Sequence, residues 1–267
     1  MRIVKYLIPW KGDKPIDIIR KVIFLVSAVV LIASLSSVIA YEVNRARDNR
    51  DNDELSDIFH NHVTEQLNSG SGTGSVSAGQ TGGDDNVDDV QREILPEFLP
   101  LLEINEDIVG WITMGDEDDP FVDYVVVQGD DNDFYLDHSF YGGSSYAGTL
   151  YADYRCDVNV YPHEQSDNIT LYGHNQKDGT MFGNMDFYRW DNNYWLKNPF
   201  IYFSNNYEQS TYVIIASFVT NTMPEDDNGN VFDYWNYVRF NDKYTYEEFI
   251  SEITARSTFS TGVDIAE

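Results

Sequence analysis

Apolar and polar positions divide this chain into zones of different period. Val22 to Tyr41 is almost wholly apolar and carries no charge. About 20 such residues suffice to cross a bilayer as a helix. Residues 42–67 are polar and helical in character, a juxtamembrane stalk. Residues 68–92 are mostly Gly, Ser, Thr, Gln and Asp without apolar periodicity, which predicts a flexible linker because nothing there can be buried. Ile94 to Ile104 then sets Leu95, Phe98, Leu99 and Leu102 on one face of a short helix. Asp107–Met114 and Val122–Gln128 predict two strands, Asp131–His138 a short helical turn, and Gly148–Tyr154 and Ile169–Tyr172 two more strands. Ile201–Phe203 and Tyr212–Thr220 predict a hairpin turning at Asn205-Asn206. Thr245–Ala255 predicts a helix capped by Thr245, with Glu247 and Glu248 in its first turn and Phe249, Ile250 and Ile253 as its apolar stripe.

This pattern gives a tail at 1–21, an anchor at 22–41, a stalk at 42–67, a linker at 68–92 and one globular domain at 93–267. Many short strands and few helices make the domain mainly β, a mixed barrel or sandwich. Arg2, Lys5, Lys11, Lys14, Arg20 and Lys21 precede the apolar run, so the N-terminus is expected in the cytoplasm and the domain outside the cell. Val38-Ile-Ala40 also suits signal peptidase, the rival reading, although the run is longer than the roughly 7–15 residues of a signal core. Either reading exports the domain.

The net charge is −28 and the basic residues gather at the N-terminus, which argues against a nucleic-acid partner. Cys156 is the one cysteine, so no internal disulfide framework is available to this domain. Nineteen Tyr, 15 Phe and 5 Trp fit a β-rich core built from large side chains. Gly70, Gly72 and Gly74 follow no strand and form no phosphate loop.

Chemistry concentrates at Asn168-Ile-Thr-Leu-Tyr-Gly-His174-Asn175, where an apolar strand runs into a turn presenting a histidine. Strand ends are where a rigid scaffold can hold a proton-transfer group at a cleft mouth. Lys177-Asp-Gly-Thr-Met-Phe182-Gly183 supplies a second turn and an apolar anchor for that loop. His60 and His62 lie two apart in the stalk without the ligands that would close a metal site, and His138 and His163 fall in loops. Asp226-Asp-Asn-Gly229 imitates a calcium loop, but the first ligand position is Pro224, so it reads as a turn. Cys156 lies in a loop just past a strand, with no base assignable to it. No cofactor or metal is implied.

Several segments together resemble the class B sortases, membrane-anchored cysteine transpeptidases of Gram-positive bacteria. They are Leu102 through Trp111-Ile112, Val125 through Gln128, Asn132, Tyr135 and Leu136, Gly148 through Asp153-Tyr-Arg155, the His174 segment through Phe182-Gly183, and Glu248 through Arg256, Ser257 and Asp264. Their order covers roughly residues 94–267. The resemblance implies a sortase-like mixed β-barrel and a reaction in which a thiolate attacks the threonine carbonyl of a sorting signal, often like Asn-Pro-Gln-Thr-Asn. A cell-wall precursor or pilin amine then resolves the thioester. It implies His174 as the proton donor and acceptor, and Asn132 and Leu136, four apart on the turn after Gln128, as the face bordering the sorting-signal groove.

The family's nucleophile lies in a Thr-Leu-Ser-Thr-Cys-like strand beyond the segment matching Ser257 to Asp264, with an arginine a few residues further. Neither is in this sequence, and Cys156, Arg155, Arg239 and Arg256 do not match them. The expectation is therefore a barrel lacking its last two strands. Residues 93–267 by themselves should fold poorly, because an unpaired strand edge and an uncovered apolar face are costly. The alternative to a transpeptidase is an inactive anchored relic, or a binding domain on an acidic tether.

Overall fold

A computed structural model of the chain describes residues 7–69 (main chain only over 62–69), 92–116, 118–191, 193–224 and 231–263. The linker expected at 68–92 lies almost wholly outside them, as does the turn expected at Asp226-Asp-Asn-Gly229. The chain forms two compact units, residues 1–49 and 50–267.

In the first unit the apolar run lies on helix α1 (Pro15–Ser69), which opens on a proline. Proline suits a first helical turn because its missing N–H has no intrahelical acceptor there. Leu31 and Ile32 are 64% and 66% exposed, so nothing in the described chain covers this apolar surface. Among the described residues α1 is the one helix long and apolar enough to cross a membrane.

The second unit is built on a hairpin of β1 (Ile108–Asp116) and β2 (Asp119–Val127), with Trp111 opposite Val125 and Met114 opposite Val122. The short β3 (Leu150–Ala152) runs parallel to β2, and β4 (Leu171–Tyr172) is antiparallel to β3. On the other side of β1 lie β5 (Phe200–Asn205) and β6 (Gln209–Val213), giving the order β4-β3-β2-β1-β5-β6 among the described residues. Helix α2 (Leu99–Leu102) precedes the sheet, α3 (Phe187–Trp190) and α4 (Tyr194–Lys197) join β4 to β5, and α5 (Tyr246–Arg256) follows β6. The result is a mainly β half-barrel with a few helices.

Strand alternation gives this sheet two buried faces. Ile112, Met114, Val122, Val126 and Leu150 pack on one side with Phe203, Met181 and Tyr188. Trp111, Val125, Val127 and Tyr151 pack on the other with Phe98, Leu101 and Phe140. Leu55 and Phe59 belong to that second core, and the Phe59 ring stacks on Trp111 at 4.4 Å. The stretch that reads as a polar stalk thus contributes two buried apolar residues from one helical face. Their i, i+4 spacing is too short a stripe to stand out against the charged residues around it.

A polar cluster lies beside this contact. Asp123 on β2 accepts hydrogen bonds from Ser56 Oγ (2.6 Å), Trp111 Nε1 (2.7 Å) and Thr113 Oγ1 (3.1 Å), and His60 Nε2 lies 3.0 Å away. Burial works to raise the Asp123 carboxyl, but the donors from His60, Ser56 and Trp111 outweigh it and hold it below its ordinary range. The hydrogen bond to Asp123 raises the His60 pKa against the opposing effect of burial.

Element boundaries depart from the sequence expectation where proline and side-chain caps intervene. The helix expected over Ile94–Ile104 is a 3₁₀ turn at Pro96–Phe98 followed by α2, because Pro96 and Pro100 supply no N–H. The strand expected over Tyr212–Thr220 starts earlier and ends at Val213. The Asn205 side chain accepts from the N–H groups of Tyr207 and Glu208, which tightens the turn and brings Gln209 into register. Past Val213 the chain leaves the ladder, and the Ser217 carbonyl accepts from Thr258 N–H at 2.8 Å.

Replacing Phe59 by alanine should cost about 3 kcal/mol of the stability of the 50–267 unit in chemical denaturation. Glu54→Ala, at an exposed position of the same helix, should change it by less than about 0.5 kcal/mol. The His60–Asp123 contact carries a pH signature. A raised histidine pKa stabilises fully below the unfolded value of 6.5, and that stabilisation disappears as pH rises through the folded value. Stability measured from pH 5.5 to 8.5 should fall more for the native protein than for His60→Gln.

Candidate active site

His174 follows β4 by two residues, and its position is set by the glycine before it. A Cβ on Gly173 would lie 2.1 Å from Leu150 Cδ2 and 2.7 Å from the Phe182 ring, so only glycine lets the chain turn this closely. The loop after His174 closes on itself. Asn175 and Met181 form an antiparallel bridge, and Phe182 N–H donates to the His174 carbonyl at 3.0 Å. Met181 is buried with a φ of 54° and donates its N–H to the Tyr124 hydroxyl at 3.1 Å. A methionine holds such a left-handed conformation only where its surroundings over-determine it. The Phe182 side chain packs on the first core, as expected for an anchor of this loop.

His174 is half-buried, and its Nδ1–H donates to the Ala147 carbonyl at 2.9 Å. A carbonyl can only accept, so this contact fixes the proton on Nδ1 and leaves Nε2 as the basic nitrogen. Nε2 has no hydrogen-bond partner among the described residues. The segment that holds the ring is itself held. Thr149 N–H donates to the Tyr135 carbonyl (3.0 Å), and Ser145 N–H donates to the Asp137 carbonyl (2.9 Å). Gly148, at φ +66°, lies so close to the Leu136 carbonyl that a Cβ would approach it to 2.5 Å. His174 and Leu136 therefore flank one backbone segment. Leu136 is 45% exposed and is not a core residue.

Asn132 has a different role from the one its spacing implies. The turn after Gln128 is helical only as a 3₁₀ turn at Phe134–Leu136. Asp131 Oδ1 accepts from Asp133 and Phe134 N–H and so starts the turn after Asn132 has been passed. The shared helical face expected for Asn132 and Leu136 does not form. Asn132 instead points inward, donating from Nδ2 to Asp153 Oδ2 (3.1 Å) and accepting from Tyr154 N–H (3.1 Å).

Asp153 is the structural hub that the sequence did not single out. It is fully buried at the end of β3. It accepts from Arg155 Nη2 (2.6 Å), Nε (2.8 Å) and N–H (3.0 Å), from Tyr172 Oη (2.9 Å), and from Asn132. Burial works to raise its carboxyl, and these donors, Arg155 foremost, outweigh that and hold it down at about 2. Arg155 also reaches the Trp235 carbonyl at 2.9 Å, tying the 234–236 turn to the sheet. The one available signal was the Asp-Tyr-Arg triplet closing an apolar strand.

Cys156 is buried in the first core with its Sγ 3.6 Å from the Asn168 carbonyl, and burial pushes its thiol pKa up. That is the environment of an inert thiol. His138 stacks on Phe134 at 4.1 Å and His163 on Tyr161 at 5.8 Å. Among the described residues no cluster of His, Cys, Asp and Glu could hold a metal ion.

The half-barrel is similar to the fold of solved class B sortases. The sortase B of Bacillus anthracis in complex with AAEK1 superimposes with a TM-score of 0.60 at 25% identity, covering 84% of this chain and 86% of that one. In sequence the chain is 27% identical to sortase B of Listeria monocytogenes and 28% identical to that of Staphylococcus aureus, each over 177 residues. These matches cover 66% of this chain and 65% of each relative's length. No family model matches the chain. Sequence and fold thus agree on a class B sortase relationship.

The Asp153 cluster makes a stability prediction with a defined sign. A carboxyl depressed to about 2 from an unfolded value of 3.8 stabilises above the unfolded value and loses that contribution as pH falls toward 2. Asp153→Asn should cost about 3 kcal/mol at pH 7, because it leaves a partly buried guanidinium without its counter-charge. The gap between variant and native protein should close between pH 4 and pH 2 in acid titrations followed by near-UV circular dichroism.

Proposed function

We propose that this chain is a class B sortase-like cysteine transpeptidase acting on secreted proteins that carry a sorting signal, with His174 as its proton donor and acceptor. The observation that carries the reading is the Ala147 carbonyl on His174 Nδ1, which leaves Nε2 as the proton-exchanging atom on a loop that glycine packing fixes. In the reaction a cysteine sulfur bonds to the threonine carbonyl carbon of the signal, the peptide bond breaks, and the leaving amine takes a proton. An incoming cell-wall or pilin amine then bonds to the same carbon and gives up a proton as the thiolate leaves. Nε2 of His174 takes the thiol proton and gives it to the leaving amine, then takes a proton from the incoming amine and returns it to the departing sulfur, and the Ala147 carbonyl stabilises the imidazolium formed in each half. Leu136, exposed across the same backbone segment, lines the groove for the signal, and Asn132 shapes that groove through Asp153.

Neither the thiol nor the oxyanion-binding guanidinium is assigned to Cys156 or Arg155. The first is buried and the second is committed to Asp153. The apolar stretch of α1 anchors the chain in the plasma membrane as a single pass. The basic residues before it keep the N-terminus cytoplasmic, and the domain works outside the cell on its acidic tether. A second reading, an anchored domain that binds sorting signals without joining them, is favoured by one observation: the single cysteine of this sequence is buried.

The test uses the membrane-bound protein expressed from its full reading frame, a sorting peptide like Asn-Pro-Gln-Thr-Asn, and hydroxylamine as the accepting amine. Peptide hydroxamate should form, His174→Ala should reduce it by about 10³-fold, and Cys156→Ser should leave it unchanged. Thioester capture on Cys156, or an active His174→Ala variant, overturns the assignment. Peptide binding without hydroxamate establishes the second reading.

A further inference from the structure

The peptide unit joining Ala147 to Gly148 is hydrogen-bonded at both ends. Its carbonyl accepts from His174 Nδ1–H at 2.9 Å, and its N–H donates to Ser145 Oγ at 2.9 Å. A trans peptide is planar, so its C=O and N–H point in opposite directions and turn together. Whatever holds the N–H therefore aims the carbonyl. Ser145 and Gly148 are both buried, and the Ser145 N–H donates to the Asp137 carbonyl at 2.9 Å, so the hydroxyl sits on anchored backbone. Three groups distant in role are thus joined through one rigid plane: a serine hydroxyl, a peptide and the imidazole.

The plane needs such a restraint because Gly148 offers little resistance to its rotation. Reversing a peptide plane changes ψ of the residue before it and φ of the residue after it, and glycine takes either sign of φ at little cost. Gly148 lies at φ +66°. With the plane reversed, Gly148 N–H would face His174 Nδ1 and the Ala147 carbonyl would face Ser145. An N–H can only donate, so Nδ1 would have to accept and the ring proton would move to Nε2. That is the nitrogen the proposed chemistry needs as its base. Ser145 opposes this reversal in two ways. It is the acceptor for a buried N–H that would otherwise go unsatisfied. Its Oγ also occupies the space a reversed carbonyl needs, because a C=O bond of about 1.23 Å would carry its oxygen well inside contact distance of an Oγ already close to the nitrogen.

We propose that Ser145 is a positioning residue for His174: its hydroxyl fixes the plane of the 147–148 peptide and thereby the tautomer of the histidine. The inference rests on the transpeptidase reading above for its effect on rate, while its effect on the tautomer is independent of turnover. The same loop supplies a control. Ser139 is also buried, and its hydroxyl has no hydrogen-bond partner among the described residues. Ser139→Ala removes the same atom as Ser145→Ala and takes no bond from the 147–148 peptide.

The protein expressed from its full reading frame is labelled with nitrogen isotope in its histidines and held in detergent micelles. The imidazole nitrogen resonances of the neutral ring report the tautomer, and His174→Ala identifies the signals that belong to residue 174. The native protein should carry the proton on Nδ1. Ser145→Ala should shift the ratio of the two tautomers toward Nε2–H by roughly tenfold. It should also lower kcat for peptide hydroxamate by about tenfold with KM unchanged, since peptide binding does not use the proton. Ser145→Thr keeps the oxygen and should restore both, and Ser139→Ala should leave both at native values. A native ring protonated on Nε2, or a Ser145→Ala ring that keeps its Nδ1 proton, overturns the assignment. So does a Ser139→Ala ring that shifts as far, because the cause is then general loosening of the loop. Should Ser145→Ala not fold, hydrogen exchange of the native protein decides: Gly148 N–H should be protected, and exchange at the rate of an unbonded loop amide overturns the assignment. Native protein that forms no hydroxamate while the tautomer responds as expected sinks the transpeptidase reading and leaves Ser145 standing. Hydroxamate formation with an unresponsive tautomer does the reverse.

Discussion

The second unit depends on one buried carboxylate. Asp153 is fully buried where β3 ends, and it draws donors from three separate parts of the chain: the turn at Asn132, Tyr172 on β4, and Arg155. A lone charge there would be prohibitively expensive, so the ion pair and its hydrogen bonds are a condition of folding rather than an addition to it. Their geometric consequence is larger than their net energy. They fix the end of β3, and β4 reads its register from β3. His174 lies two residues beyond β4.

From that register the loop follows with little freedom. Gly173 packs against Leu150, the neighbour of Tyr151 on β3, and Gly148 packs against the Leu136 carbonyl. Ala147, between Ser145 and Gly148, is thereby presented to His174 Nδ1. Two close approaches that only glycine permits, and one carbonyl, set the tautomer of the histidine. The opposite side of the sheet has a comparable device, in which Asp123 gathers Ser56, His60, Trp111 and Thr113 beside the Phe59–Trp111 stack. Each carboxylate marks a place where segments distant in sequence have been brought together, and each is satisfied by several donors.

The same logic holds Cys156 and Arg155 in place. Cys156 closes the first core and donates weakly to Asn168, while Arg155 neutralises Asp153. Their proximity in sequence to a matching strand made them candidates worth weighing, but their neighbours commit them to structure.

Much of this molecule was legible in its pattern. Short apolar runs located β1 and β2, a capping threonine located α5 with Glu248 N–H on Thr245 Oγ1 at 3.2 Å, and an uncharged apolar run located the membrane-length helix. The Tyr-Gly-His turn after an apolar strand marked the proton-transfer candidate. Local rules determine such features, because they depend on residues within a few positions of one another. What only the tertiary structure decided was every assignment that needed a partner far along the chain. Leu55 and Phe59 became core rather than stalk, Asn132 turned to Asp153 while Leu136 faced out, and the His174 proton was assigned by a carbonyl 27 residues away. Burial and hydrogen-bond satisfaction are properties of the assembled sheet, and no window of sequence contains them.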